Sequence, residues 1–110
     1  MTTLSVLVLD TARGCPAEGL FVALERHQAK EWHHIDGDAV DEHGQAGLGD
    51  ADLGEGTYRV TLDTGTYFAA NSQPSALPVV RTVFDISADS ADSVRICVAL
   101  GPYGYSVNLG

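Results

Sequence analysis

The sequence predicts an all-β fold, an antiparallel sandwich of seven or eight short strands with one brief helix. Short runs of apolar or alternating residues recur along all 110 positions. Clusters of Gly, Asp and Pro separate these runs at the spacing of sandwich turns. Only one stretch combines a capping residue with helix formers. A hydrophobic fraction of 45% supplies a core, and a chain of this length buries about two-thirds of its unfolded surface. One domain spanning 1–110 is expected.

Thr3 to Thr11 is apolar on both faces, the pattern of a strand covered on both sides. Ala12-Arg13-Gly14-Cys15-Pro16 breaks it. Leu20 to His27 places Leu20, Val22 and Leu24 on one side and reads as a second strand. Glu31 to Ile35 is the third, ended by an Asp36-Gly37-Asp38 turn. Asp41 to Gly56 is rich in Gly and Asp and holds a short strand near Gln45 to Leu48, after which Tyr58 to Leu62 alternates cleanly. Thr64 to Asn71 follows, with Asp63 or Thr64 as N-cap and Phe68-Ala69-Ala70 in a short helix. Pro74 and Pro78 enclose a loop. Val79 to Ile86, Ser93 to Leu100 and Tyr103 to Leu109 complete the strands, the last two joined at Gly101-Pro102.

Charge narrows the function classes. Fifteen acids against six bases give a net charge of −9, which opposes nucleic-acid binding, since phosphate neutralisation needs clustered Lys and Arg. No apolar run approaches the ~20 residues of a membrane span, and no basic stretch precedes an apolar one at the N-terminus. A cytoplasmic protein is expected, without membrane contact. The acids Asp36, Asp38, Asp41, Glu42, Asp50, Asp52 and Glu55 gather between Lys30 and Arg59, as a solvated surface or as a docking surface for a partner. Cys15 and Cys97 read as free thiols, Cys15 with no evident partner.

The front of the chain reads Val8-Leu9-Asp10-Thr11-Ala12-Arg13-Gly14-Cys15-Pro16-Ala17-Glu18-Gly19, and the back Leu100-Gly101-Pro102-Tyr103-Gly104-Tyr105-Ser106. Between them stand Gly56-Thr57-Tyr58-Arg59-Val60 leading to Asp63-Thr64-Gly65-Thr66-Tyr67-Phe68, and Ile96-Cys97-Val98-Ala99-Leu100. These blocks, in this order, resemble the transthyretin and 5-hydroxyisourate hydrolase family over essentially the whole chain. The resemblance implies a transthyretin-like sandwich of two four-stranded sheets with one short helix. It also implies a homotetramer, a dimer of dimers, around a central channel. A first strand apolar on both faces suits such an assembly, because a facing dimer would cover its second side.

In the hydrolase branch, the resemblance implies a catalytic histidine where this chain has Leu7, an arginine where it has Gln45, a second histidine where it has Arg95, and a Tyr-Arg-Gly-Ser tail where it has Asn108-Leu109-Gly110. With neither histidine there is no general base at those points. Hydroxyisourate hydrolysis is therefore not expected. The sequence is read first as a diverged member acting on another small planar or carbonyl-bearing molecule, a repurposed biosynthetic enzyme. A non-catalytic binder of a small molecule is the alternative. Hydrolysis of hydroxyisourate in purine catabolism, with the chemistry moved to other side chains, comes third.

With Leu7 and Arg95 at the histidine positions that the resemblance implies, strand parity assigns the walls of the implied channel. Leu7 and Leu9 line one wall, Arg95, Cys97 and Ala99 another, with Ser106 and Asn108 on the last strand. Val6, Val8, Val94, Ile96, Val98 and Val107 face the interior, and a one-residue slip would bury Arg95 and Asn108. Arg95 is either a surface arginine paired with Asp92 or Asp85, or a guanidinium fork for a planar anion or an oxyanion. Cys97 lies ~7 Å from Arg95 along the strand. It is either packing or a nucleophile activated by a cationic neighbour. Gln45 and Asn108 would orient a polar ligand. His43 is either a replacement acid or base or an exposed turn histidine. His33 and His34 point to opposite faces, so no metal site or other cofactor is expected. Trp32, Tyr58, Tyr103 and Tyr105 read as core or interface packing.

Overall fold

The chain orders its elements as β1 (Thr2–Asp10), β2 (Cys15–Pro16), β3 (Phe21–Gln28), β4 (Glu31–Ala39), β5 (Gln45–Leu53), β6 (Gly56–Leu62), α1 (Thr64–Ala70), β7 (Val80–Ile86), β8 (Ser93–Leu100) and β9 (Tyr105–Leu109). This is a computed structural model describing residues 2–87, 89 and 93–109, with the backbone path alone for 49–52. One sheet runs β2-β1-β8-β9, with β5 also paired to β1. The other runs β4-β3-β6-β7. The expected transthyretin-like sandwich is present, with the first sheet counting five strands once the two-residue β2 is included. Every pairing is antiparallel except β1 with β8, which is parallel.

Alternation builds the core between the sheets. Leu4, Val6 and Val8 of β1 and Ile96 and Val98 of β8 are buried. They meet Val22, Leu24, Tyr58, Val60, Leu62 and Phe84 of the second sheet in one cluster, with Val94 and Val107 packed at its margin. The outer face of β1 is left open by the chain itself. Leu7 is half-buried and Leu9 is 44% exposed, so the strand is covered on one side only within a single chain. No second layer packs there among the described residues, and that face is where apolar residues have been kept.

Local side-chain hydrogen bonds explain where strands outrun the sequence reading. The turn expected at Asp36-Gly37-Asp38 lies inside β4. The Asp36 carboxylate accepts from the Gly37 amide at 2.8 Å and the Asp38 carboxylate from the Ala39 amide at 2.9 Å. A register shift between Leu24 and Glu25 absorbs the extra residue. Gly37 lies beneath the Phe21 ring, whose Cζ would stand 2.6 Å from a Cβ there, so a side chain at 37 would push the exposed ring aside. β5 extends from Gln45 to Leu53 rather than stopping at Leu48. At the other end, Tyr103 belongs to a turn closed by the Gly101 amide on the Gly104 carbonyl at 2.8 Å, and β9 starts at Tyr105.

Asp63 caps α1, its carboxylate accepting from the Thr66 amide. The Thr64 hydroxyl donates to the Leu77 carbonyl at 2.7 Å and the Gly65 amide to the Pro78 carbonyl at 3.0 Å, which seats the helix on the proline loop. Among the described residues no helix is long and apolar enough to cross a membrane.

A buried carboxylate ties the helix to β1. Asp10 is 1% exposed. One of its oxygens accepts from the Ala12 and Arg13 amides, both at 3.0 Å, and the other from the Tyr67 hydroxyl at 2.7 Å. Burial, then the bond to Asp10, pushes the Tyr67 hydroxyl up to about 12. Its protonated form is the one the fold prefers. That contribution is complete below the ordinary tyrosine range near 10 and is lost as pH rises through about 12. Tyr67→Phe leaves one buried carboxylate oxygen without its donor and is expected to cost about 1–3 kcal/mol. Urea unfolding at pH 7 reads this directly, and an unchanged midpoint would show that Asp10 needs only its two amide donors.

Candidate functional site

Strand pairing assembles a polar row on the outer face of the five-stranded sheet. Leu7 lies opposite Gln45 on β5 and opposite Cys97 on β8, and Cys97 lies opposite Asn108 on β9. Directly paired residues project to the same side of a sheet, so Gln45, Leu7, Cys97 and Asn108 form one line across four strands. Two residues along β8 in one direction the row reads Gly47, Ser5 and Arg95, and in the other Leu9, Ala99 and Ser106. Their chain neighbours Val6, Ala46, Ile96 and Val98 are buried, which fixes the outward face.

The structure thus brings together Leu7, Leu9, Gln45, Arg95, Cys97, Ala99, Ser106 and Asn108. Leu7, Cys97 and Ala99 are half-buried, and Gln45, Arg95, Ser106 and Asn108 are exposed. His43 is not on this face. It sits in the Asp41–Gln45 turn with its side chain 76% exposed, 3.6 Å from the Glu42 carboxylate. Arg95 makes no hydrogen bond or ion pair among the described residues. Asp85, one of its two possible acids, lies on β7 of the other sheet and accepts from Thr57 at 2.7 Å. Asp92 lies outside the described residues.

Two contributors escaped the sequence reading. Ser5, paired with Arg95 in register, adds a hydroxyl to the face, and its signal was the parity it shares with Leu7. Asp41 was grouped with solvated acids, yet its carboxylate accepts from the amides of His43 at 2.8 Å and Gln45 at 2.9 Å. The Asp-x-x-Gly spacing ahead of Gln45 was the available signal. Chemically, the face offers a guanidinium unpaired among the described residues, two side-chain amides, a thiol, two hydroxyls and apolar ground. Those groups can hold a planar, carbonyl-bearing molecule and stabilise charge on its oxygen.

Other features compete less well. A concavity of about 220 Å³ between α1 and β3 is lined by Glu18, Phe21, Asp63, Thr66, Tyr67 and Asn71 among others, and its two carboxylates disfavour an anion. A more apolar crevice of about 290 Å³ is bounded by Leu9, Cys15 and Pro16 at one end of the polar face. On the second sheet, Arg59 lies 4.3 Å over the Trp32 ring and bonds Glu25 at 2.8 and 3.0 Å. The Arg59 fork holds the Glu25 carboxyl below its usual range. That arrangement satisfies itself and staples β4, β3 and β6. Trp32 is therefore half-buried beneath an arginine, Tyr58 is in the core, and Tyr103 and Tyr105 are exposed. Among the described residues no three His, Cys, Asp or Glu side chains converge as metal ligands.

Comparison with known proteins agrees with the resemblance. The model of the HIUase/Transthyretin family matches residues 4–110. The 5-hydroxyisourate hydrolase of Mus musculus is 31% identical, covering 97% of this chain and 93% of its own. The structure of the Klebsiella pneumoniae 5-hydroxyisourate hydrolase superposes with a TM-score of 0.86 at 29% identity, covering 98% of both chains. Sea bream transthyretin, solved with thyroxine, gives a TM-score of 0.90 at 24% identity over 97% and 93%, which shows a shared fold.

These relatives overturn one expectation. Hydroxyisourate hydrolysis was set aside, in favour of another small molecule, because Leu7 and Arg95 stand where histidines were expected. Near-full-length likeness to proteins named for that reaction supports the reaction instead. Hydrolysis needs an oriented nucleophile and a group to hold developing charge, and histidine is one of several residues able to supply these.

The turn that delivers Gln45 depends on Gly44, whose φ is +86°. A Cβ there would lie 3.1 Å from the Val8 carbonyl oxygen, 3.2 Å from Leu7 Cδ1 and 3.3 Å from Pro16 Cβ. Gly44→Ala is expected to destabilise the chain by ~1 kcal/mol or more. Thermal melting checks this, and an unaltered Tm would mean that the turn relaxes without cost.

Proposed function

The chain belongs to the HIUase/Transthyretin family, and from that premise we propose that it is a 5-hydroxyisourate hydrolase working on the outer face of its five-stranded sheet. The likeness to named hydrolases over nearly the whole chain carries this reading. The side chains on the face supply a route for it.

In this reading the ureide ring lies flat on Leu7, Leu9 and Ala99. The amides of Gln45 and Asn108 pair with its N–H and C=O edges, with the Ser106 hydroxyl beside them. The Cys97 sulfur adds to a ring carbonyl carbon and charge develops on the carbonyl oxygen, which the Arg95 fork receives. The C–N bond then breaks with a proton passing to the ring nitrogen. Water adds to the acyl carbon, releasing the acid and returning the thiol.

The face is open in one chain, and Leu9 on it is 44% exposed. A homotetramer built as a dimer of dimers would oppose two such faces, exclude water and complete a channel. The cytoplasm is the compartment that suits its two free cysteines.

Following the ultraviolet absorbance of fresh 5-hydroxyisourate tests the proposal. The wild-type protein is expected to accelerate its decay. Arg95→Ala should lower kcat/KM by about 10²–10³-fold, and Cys97→Ser should return the rate to the spontaneous one. Decay at the spontaneous rate with wild-type protein, alongside saturable binding of the compound, would overturn hydrolysis. A single-chain mass in light scattering would overturn the channel.

A further inference from the structure

We propose that Asp41 is a positioning residue that fixes Gln45 on the reactive face; the role rests on the hydrolase reading above. Gln45 is the first residue of β5, where a strand leaving a turn would ordinarily fray. Here its place is determined from both sides. One oxygen of the Asp41 carboxylate accepts from the Gln45 amide at 2.9 Å and from the His43 amide at 2.8 Å. The backbone closes the same loop, with the Asp41 amide donating to the Gln45 carbonyl at 2.9 Å and the Gly44 amide to the Asp41 carbonyl at 3.0 Å.

The loop is then fastened to β1. The Val8 amide donates to the Gly44 carbonyl at 2.8 Å, and buried Gly44 sits so close that a Cβ would meet Val8, Leu7 and Pro16 at 3.1, 3.2 and 3.3 Å. Gln45 consequently meets Leu7 in register, with its side chain on the face that holds Cys97 and Asn108. Backbone amides, that of Gln45 first, hold the Asp41 carboxyl below its usual range, so the acceptor stays charged at neutral pH. Removing that acceptor takes from the Gln45 backbone N–H its partner in the turn and leaves the Asp41 amide on the Gln45 carbonyl as the turn's remaining hold on the residue. Misplacing a substrate-orienting group by about an ångström costs up to 10²-fold in rate.

The test uses the full chain and four variants. Asp41→Ala is expected to lower kcat/KM by about 10- to 100-fold. Asp41→Asn keeps a side-chain oxygen able to accept both amides and should restore most of the activity. In a Gln45→Ala background, Asp41→Ala should add no further loss, since the group it places is gone. Wild-type activity in Asp41→Ala, or an equal loss with and without Gln45, would overturn the proposal. If wild-type protein shows no turnover, the hydrolase reading fails while the clamp is still measurable. Amide resonances of His43 and Gln45 that shift in Asp41→Ala but hold in Asp41→Asn sustain it, and unmoved resonances overturn it.

Discussion

The parallel pairing of β1 with β8 is the constraint on which the rest depends. Eight successive positions, Thr3 with Ser93 through Asp10 with Leu100, lie side by side. Two strands from opposite ends of the chain therefore share one parity. Val6, Val8, Ile96 and Val98 turn inward together, and Leu7, Leu9, Arg95, Cys97 and Ala99 turn outward together. Side-chain period in a strand is two, so any one-residue slip would exchange the two sets. Burying Arg95 unpaired would cost far more than the apolar contacts could return. The core and the polar face are thus two readings of one register.

Around that pairing, carboxylates do much of the local organisation. Asp10 anchors the β1 exit and the helix, Asp63 caps the helix, and Asp36, Asp38 and Asp41 each bind backbone amides within a few residues. A net charge of −9 is therefore partly structural. Short acidic side chains accept amide hydrogens that irregular backbone would otherwise leave to water. The single guanidinium on the polar face stands out against that background.

The sandwich was legible because alternation is a strong signal and because four blocks of sequence kept the order of a known family. The face was legible once parity was applied to the positions the family resemblance implied, Leu7 and Arg95, with the inward-facing valines as a check on the register. The Asp36-Gly37-Asp38 segment was not, because turn-forming residues can stay in a strand when their side chains satisfy the local amides. Trp32 was assigned to packing without its partner, since Arg59 lies 27 positions away and only the β3–β6 pairing brings it over the ring. The reaction was the hardest inference. Loss of two histidines argued locally against hydrolysis, whereas overall likeness argues for it, and a single sequence offers no way to weigh one against the other.

The amides of Gly37 and Ala39 have a consequence for how the molecule meets its own kind. On an outer strand they alternate with amides that bond β3 and the preceding loop, such as that of Val40 to Leu20, so they point away from the sheet. Each is already occupied by the carboxylate before it. An incoming strand would have to displace two hydrogen bonds and approach two negative charges to dock there. Two carboxylates thus act on this stretch of the margin as charged guards against edge-to-edge strand pairing.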